Sequence, residues 1–269
     1  MAEESKDMSF LEHLEELRFR LMRSVIAIMI GAVVLFTLKD FVFDDIIFAP
    51  RKLDFISFRA WCWLSHALHL GESMCVTSID YDIINTTMLG KFTAHIIVSL
   101  IGGVIIAFPF IFWQFWTFIR PGLRMKESKA VSGITLYTSL LFFLGVAFGY
   151  FGIAPLSLQF LGNYELADVE SKITIMSYMK LVASITLATG FIFQLPIAVY
   201  FLSKIGIVTP ELLRKYRKHA LVVVLVLSAI ITPPDLTSQV MVALPVLLLY
   251  EISIVISKRV QKARAEELA

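Results

Sequence analysis

Two carboxylates stand out for the company they keep. Glu16 shares its segment with Arg18, Arg20 and Arg23, and Glu127 shares its own with Arg120, Arg124, Lys126 and Lys129. A carboxylate in such a basic stretch either pairs within its own helix or accepts charge-assisted, often bidentate, bonds from an incoming guanidinium. Glu16 and Arg20 are four residues apart and Glu15 and Arg18 three apart, so both pairs can meet on a helix. A second group, Cys62, His66, His69 and Cys75, offers sulfur and imidazole donors. Zinc uses such ligands, but Cys-x3-His-x2-His-x5-Cys is not a familiar zinc spacing, and no metal is expected. A disulfide between Cys62 and Cys75, or two free thiols, are the other readings; the compartment that the loop faces decides between them.

Four further polar residues interrupt apolar surroundings. Gln194 lies beside Pro196, and Glu251 lies about seven residues inside Lys258. An acid at that depth is costly and is a functional candidate by default. Asp235 and Gln239 flank the start of the last apolar run, where Asp235 can cap a helix.

The elements that position these groups are membrane spans. The 269 residues are 58% hydrophobic and 17% charged, whereas soluble domains are about 45–50% apolar and about 25% charged. The excess falls in long apolar runs, which predict an all-α, polytopic membrane protein forming a single integral membrane domain over 1–269. Six spans are predicted, at about 21–38, 93–117, 131–154, 179–203, 219–232 and 238–257. Of the 24 lysines and arginines, 17 fall in connections on one side and 7 on the other, so both termini are expected in the cytoplasm. Residues 1–20 then form a cytoplasmic amphipathic helix, opened by a Ser9–Glu12 capping box and striped by Phe10, Leu14, Leu17 and Leu21. Residues 39–92 form a long outer loop, and 258–269 a cytoplasmic tail. The last two spans are expected to be short. About 12 apolar residues before Pro233-Pro234 make about 20 Å of helix, against about 30 Å of hydrocarbon, and such a mismatch thins the bilayer locally.

Several motifs resemble the TatC family. His13-Leu-Glu-Glu-Leu-Arg-Phe-Arg-Leu21 is similar to the family's N-terminal motif. Ala49-Pro50, Phe112-Trp-Gln-Phe-Trp-Thr-Phe-Ile-Arg-Pro-Gly-Leu123 with Glu127, and Ala154-Pro155-Leu156 follow in the family's order. So do Phe193-Gln-Leu-Pro196, Thr209-Pro-Glu-Leu-Leu-Arg-Lys215, Thr232-Pro-Pro-Asp-Leu-Thr-Ser-Gln239 and Leu249-Tyr-Glu-Ile252. Each motif alone is weak; their joint order with six spans is specific.

The resemblance implies a receptor in the bacterial cytoplasmic (inner) membrane. It would bind twin-arginine signal peptides of folded precursors, recruit TatA-type and TatB-type single-span proteins, and assemble with further copies of itself, with transport driven by the proton-motive force. It implies signal-peptide contacts at Glu16, Glu127, Arg18, Arg20 and Phe118, and partner-helix contacts at Gln194, Pro196, Asp235 and Gln239. Gln194 departs from the family, which commonly carries Glu there; an amide keeps the hydrogen bonding but cannot titrate. No enzymatic activity, cofactor or nucleic-acid partner is expected, and no G-x-x-x-x-G-K-[ST] motif occurs. The alternative is a secondary transporter or channel for small solutes, which would usually show internal repeats and convergent mid-membrane polar groups; no repeat is visible here.

The charge asymmetry yields the first prediction. Cysteines introduced as Ser5→Cys and Glu267→Cys should resist an impermeant thiol reagent in intact cells; labelling of either would overturn the assigned orientation.

Overall fold

The computed structural model describes residues 10–67, 69, 75, 82–119, 131–164, 172–232 and 236–268. Among the described residues there are ten α-helices: α1 Phe10–Thr37, α2 Ile56–Ala67, α3 Gly90–Ile119, α4 Val131–Ala147, α5 Ala154–Gly162, α6 Ile175–Ile192, α7 Leu195–Lys204, α8 Pro210–Lys215, α9 Arg217–Ile231 and α10 Leu236–Leu268. Among the described residues, five stretches are long and apolar enough to cross a membrane: Leu14–Thr37, Gly90–Phe118, Gly133–Gly162, Ile175–Lys204 and Gln239–Arg264. They match five of the six predicted runs. The remaining run folds as α9, whose 15 residues make about 22 Å of helix, short of the hydrocarbon thickness.

One expectation needs correcting. The last span is not short: α10 continues for 33 residues, because Pro245 is tolerated within it and the Lys-, Arg-, Ala- and Glu-rich stretch after Ser257 propagates helix well. The mostly helical architecture agrees with the all-α reading, and its described strands are one short pair. Asp82–Ile84 (β1) and Lys172–Thr174 (β2) pair in parallel, with Asp82 opposite Lys172 and Ile84 opposite Thr174. Each strand runs directly toward a spanning helix, β1 toward α3 and β2 into α6, and the intervening helices supply the crossover that a parallel pair requires. Ser9, the expected cap, lies outside the described residues; α1 itself runs unbroken from its amphipathic start into the first span.

The chain divides into two compact units, residues 1–38 with 96–140, and residues 39–95 with 141–269. In the first unit α1 and α3 cross at glycines. A Cβ on Gly31 would stand 3.2 Å from Gly103 Cα, and one on Gly103 would stand 2.7 Å from both Ala32 N and Ile28 O. Small residues let backbones approach this closely, and dispersion contacts then replace the hydrophobic drive that lipid removes.

In the second unit a core of Ile153, Ala154, Ile185, Val224, Val242, Ala243 and Val246 joins α5, α6, α9 and α10. α6 buries Tyr178, Val182, Ile185 and Thr189, a helical spacing that gives one inward stripe. Between α4 and α5 the chain widens into π-helical turns over Phe148–Ile153, just ahead of Pro155, which has no N–H to continue an ordinary ladder. In the connection between α1 and α2, Phe41–Ile47 is likewise π-helical. Its last carbonyls are met by tyrosine hydroxyls: Tyr150 donates to Ile46 O at 2.5 Å and Tyr178 to Ile47 O at 2.8 Å.

The glycine crossing generates a paired prediction. Gly103→Ala should lower the thermal stability of the detergent-solubilised protein, since overpacking costs about 1–3 kcal/mol. Gly133→Ala, where a Cβ meets nothing within 4 Å, should be neutral or stabilising by up to about 1 kcal/mol. Melting curves for the two variants moving in the same direction would refute the close crossing.

Candidate functional site

Glu16 and Arg20 lie one turn apart on α1, and the structure pairs them. Arg20 Nε donates to Glu16 Oε1 at 3.0 Å, and Nη2 donates to the same oxygen. Both side chains are largely buried, so the pair is screened less than an exposed one. Arg20 also reaches across to α3, where Nη1 donates to Gln114 Oε1 at 3.5 Å. Ser24 Oγ donates to the Arg20 backbone carbonyl at 3.0 Å, closing the next turn of α1.

The arrangement leaves half of the carboxylate unused. Glu16 Oε2 is shut from solvent and has no hydrogen-bond partner among the described residues. An ionised carboxylate has about four lone-pair sites, and a buried acceptor left unmade costs about 1–3 kcal/mol. Arg20 therefore fixes the orientation of Glu16 while one buried oxygen keeps its acceptor capacity unused among the described residues. Glu15 and Arg18 are exposed, and the ion pair formed on this helix among the described residues is Glu16–Arg20.

Gln114 is the residue that sequence reasoning missed. It is 4% exposed, inside an aromatic stretch where Trp116 is buried and Trp113 exposed. The signal was available as a lone amide in the most apolar helix, but its target lay on another helix. Phe118 stands one turn beyond Gln114 on α3, on the same face and half-buried. Glu127 lies outside the described residues.

The second unit holds the other candidates. Gln194 sits in the turn that separates α6 from α7 in mid-span. There Gln194 N turns to Phe191 O, so the Gly190 carbonyl loses its ordinary partner and is met instead by Gln194 Nε2 at a long 3.4 Å. Pro196, in the first turn of α7, brings no N–H and fits that position. Gln194 Oε1 remains buried and without a partner among the described residues. Gln239 Nε2 donates to Leu225 O at 3.1 Å, tying α10 to α9. Asp235 lies outside the described residues.

Glu251 is not an isolated acid. Arg217 Nη2, at the start of α9, donates to Glu251 Oε2 at 2.6 Å. The neighbouring Tyr250 hydroxyl donates to Leu213 O at 2.8 Å, and Ser257 shares a 2.7 Å bond with Ser203. α10 is thereby pinned to the α7–α9 connection at its basic end. In that connection Thr209 caps α8 through Leu212 N at 3.3 Å, and Glu211 is held below the usual carboxylate range, chiefly by its own backbone N–H and by the Thr209 hydroxyl. Cys62 and Cys75, in the connection between α1 and α3, are joined as a disulfide with Cα atoms 4.4 Å apart.

Comparison with known proteins places the whole chain in a family. The family model described as Sec-independent protein translocase protein (TatC) matches residues 12–245. A Sec-independent protein translocase protein TatC from Blattabacterium sp. subsp. Periplaneta americana (strain BPLAN) is 38% identical over 266 residues, covering 98% of this chain and 100% of that protein. The TatC of Aquifex aeolicus (strain VF5) is 34% identical, covering 96% of this chain and 98% of that one. A crystal structure of the twin-arginine translocase receptor TatC superposes with a TM-score of 0.68 at 35% identity, covering 93% of this chain and 99% of that one.

The Arg217–Glu251 geometry supports a prediction of its own. Its side chains are 51% and 53% exposed on the bare chain, so a double-mutant cycle with Arg217→Gln and Glu251→Gln should give a coupling of at most about 1 kcal/mol in thermal melts. A coupling above about 2 kcal/mol would mean that the pair is desolvated.

Proposed function

Because the chain belongs to the TatC family of Sec-independent protein translocase proteins, a multi-pass, non-enzymatic subunit of the Tat pathway, we propose that it is the signal-peptide receptor of its translocase. Its ligand is the twin-arginine signal of a folded precursor, and the bilayer is the bacterial inner membrane with both termini cytoplasmic. The observation that carries this reading is the half-occupied carboxylate. Glu16 is oriented by Arg20, Arg20 is braced by Gln114, and Glu16 Oε2 is left without a partner among the described residues. An incoming guanidinium supplies donors in the planar fork that suits such an oxygen. Arg18 and Arg20 repel a second cation at the same spot, so the two signal arginines need two carboxylates, and Glu127 is assigned as the other. Phe118, one turn from Gln114, gives the apolar part of the signal an aromatic surface.

Six spans complete the proposed topology, with α9 as a short fifth. TatA-type and TatB-type single-span proteins are assigned to the second unit. The unmatched Gln194 Oε1 in a helix break beside Pro196 calls for a donor from outside the chain, and Gln239 marks a further polar contact near Asp235. The bilayer beside α9 is thinned, which lowers the barrier for folded cargo, and the proton-motive force drives the step. Gln194 cannot itself be protonated during that step.

Binding of twin-arginine signal peptides by the purified protein tests the receptor assignment. Glu16→Ala and Glu127→Ala should each weaken binding about tenfold or more, since a hydrogen bond to a charged group contributes about 1.5–3 kcal/mol net. Unchanged affinity in both variants, at normal protein levels, would overturn it.

A further inference from the structure

The outer connection between α1 and α3 carries a donor set that the transport reading does not use. Cys62 and His66 are four residues apart on α2, on one face of the helix, and His66 Nδ1 lies 3.8 Å from Cys62 Sγ. Cys75, bonded to Cys62, brings a second sulfur, and the three ligand atoms lie within 4.8 Å of one another. We propose that Cys62, His66 and Cys75 form a thiol-gated metal site, closed by the disulfide and open to one thiophilic d10 cation of the zinc class once that disulfide is reduced.

The geometry is close to what zinc needs. With Zn–S about 2.3 Å and Zn–N about 2.0–2.1 Å, a tetrahedral site has S···N edges of about 3.5 Å and an S···S edge of about 3.8 Å. The Cys62 Sγ to His66 Nδ1 distance of 3.8 Å already approximates the first. Reduction frees the two sulfurs to separate, and the imidazole, once it leaves the Cys62 carbonyl, turns Nδ1 toward them. The exposed imidazole and the part-exposed sulfurs leave the fourth position to water.

The same contacts explain why the oxidised form is shut. Both sulfurs are consumed in the S–S bond, and His66 Nδ1 lies 2.8 Å from the Cys62 backbone carbonyl, a position in which it carries the proton and donates. Opening proceeds in balanced steps. A dithiol reductant supplies two electrons and two protons to the S–S bond, gives two thiols and is itself oxidised to a disulfide. The imidazole proton moves to Nε2 as the ring leaves the carbonyl. Metal binding then releases both thiol protons to solvent, leaving two thiolates and one neutral imidazole on the ion.

Cobalt(II) and zinc(II) are the probes, with the full chain in detergent either left oxidised or reduced by a dithiol and desalted without oxygen. The reduced protein should bind one Co(II) per chain with sulfur-to-metal charge-transfer and tetrahedral d–d absorption, and Zn(II) should displace it. The oxidised protein, reduced protein alkylated with N-ethylmaleimide, and the Cys62→Ser/Cys75→Ser double variant should show no such bands. His66→Gln should weaken binding at least tenfold. The proposal is overturned if the reduced chain gives no charge-transfer band, if the alkylated chain retains it, or if His66→Gln leaves affinity unchanged.

Discussion

In hydrocarbon no water meets a broken backbone hydrogen bond, so each interruption of a spanning helix has to be satisfied from within the chain. Much of the second unit follows from that constraint. The turn at Phe193–Gln194 frees the Gly190 carbonyl, and the Gln194 side chain covers it. The π-helical end at Ile46 and Ile47 is closed by Tyr150 and Tyr178, which come from elements more than a hundred residues away. Ser and Thr add second donors locally: Thr189, Ser228, Thr232 and Ser253 each donate to the carbonyl four residues earlier, and the Ser228 carbonyl also keeps its backbone bond from Thr232 N. Breaks that look like weaknesses are in fact the points where distant elements are fastened together.

Charge obeys a related rule. A membrane protein can keep a carboxylate near its spans only where cations or amides hold it. Glu251 has Arg217, and the exchange is complete on one oxygen. Glu16 differs, because Arg20 and Gln114 settle its orientation without exhausting its acceptors. That difference is the basis of the binding role proposed for Glu16. Under the proposed receptor role, Arg20 holds the glutamate rather than competing for the ligand.

Close approach supplies what lipid cannot. Gly31 and Gly103 bring two backbones together in the first unit. In the second, Gly149 lies where a Cβ would meet Thr186 Cα at 3.0 Å, so the π-helical turns press on α6. α9, at 15 residues, needs such packing most, and its contribution of Val224 to the core and of Leu225 O to Gln239 keeps it attached to α10.

Local properties of the chain were readable without a structure. Apolar runs mark spans because burial in lipid demands some twenty apolar residues in sequence. The Glu16–Arg20 pair follows from helical spacing, and the ordered motifs identify the family. Errors arose where a local signal was read as a stop or as featureless. The last span was expected to be short, but neither polar nor basic flanking residues prevent helix from continuing through Leu236–Leu268. The strands Asp82–Ile84 and Lys172–Thr174 are too short to show alternation, and their partner lies about ninety residues off. Tertiary structure alone decided that Gln114 meets Arg20, that Glu251 meets Arg217, and that Cys75 is joined to the sulfur beside His66. The first two are contacts between groups distant in the chain, set by which helix faces pack, about which spacing along one segment carries no information; the third chose among readings that the sequence left open.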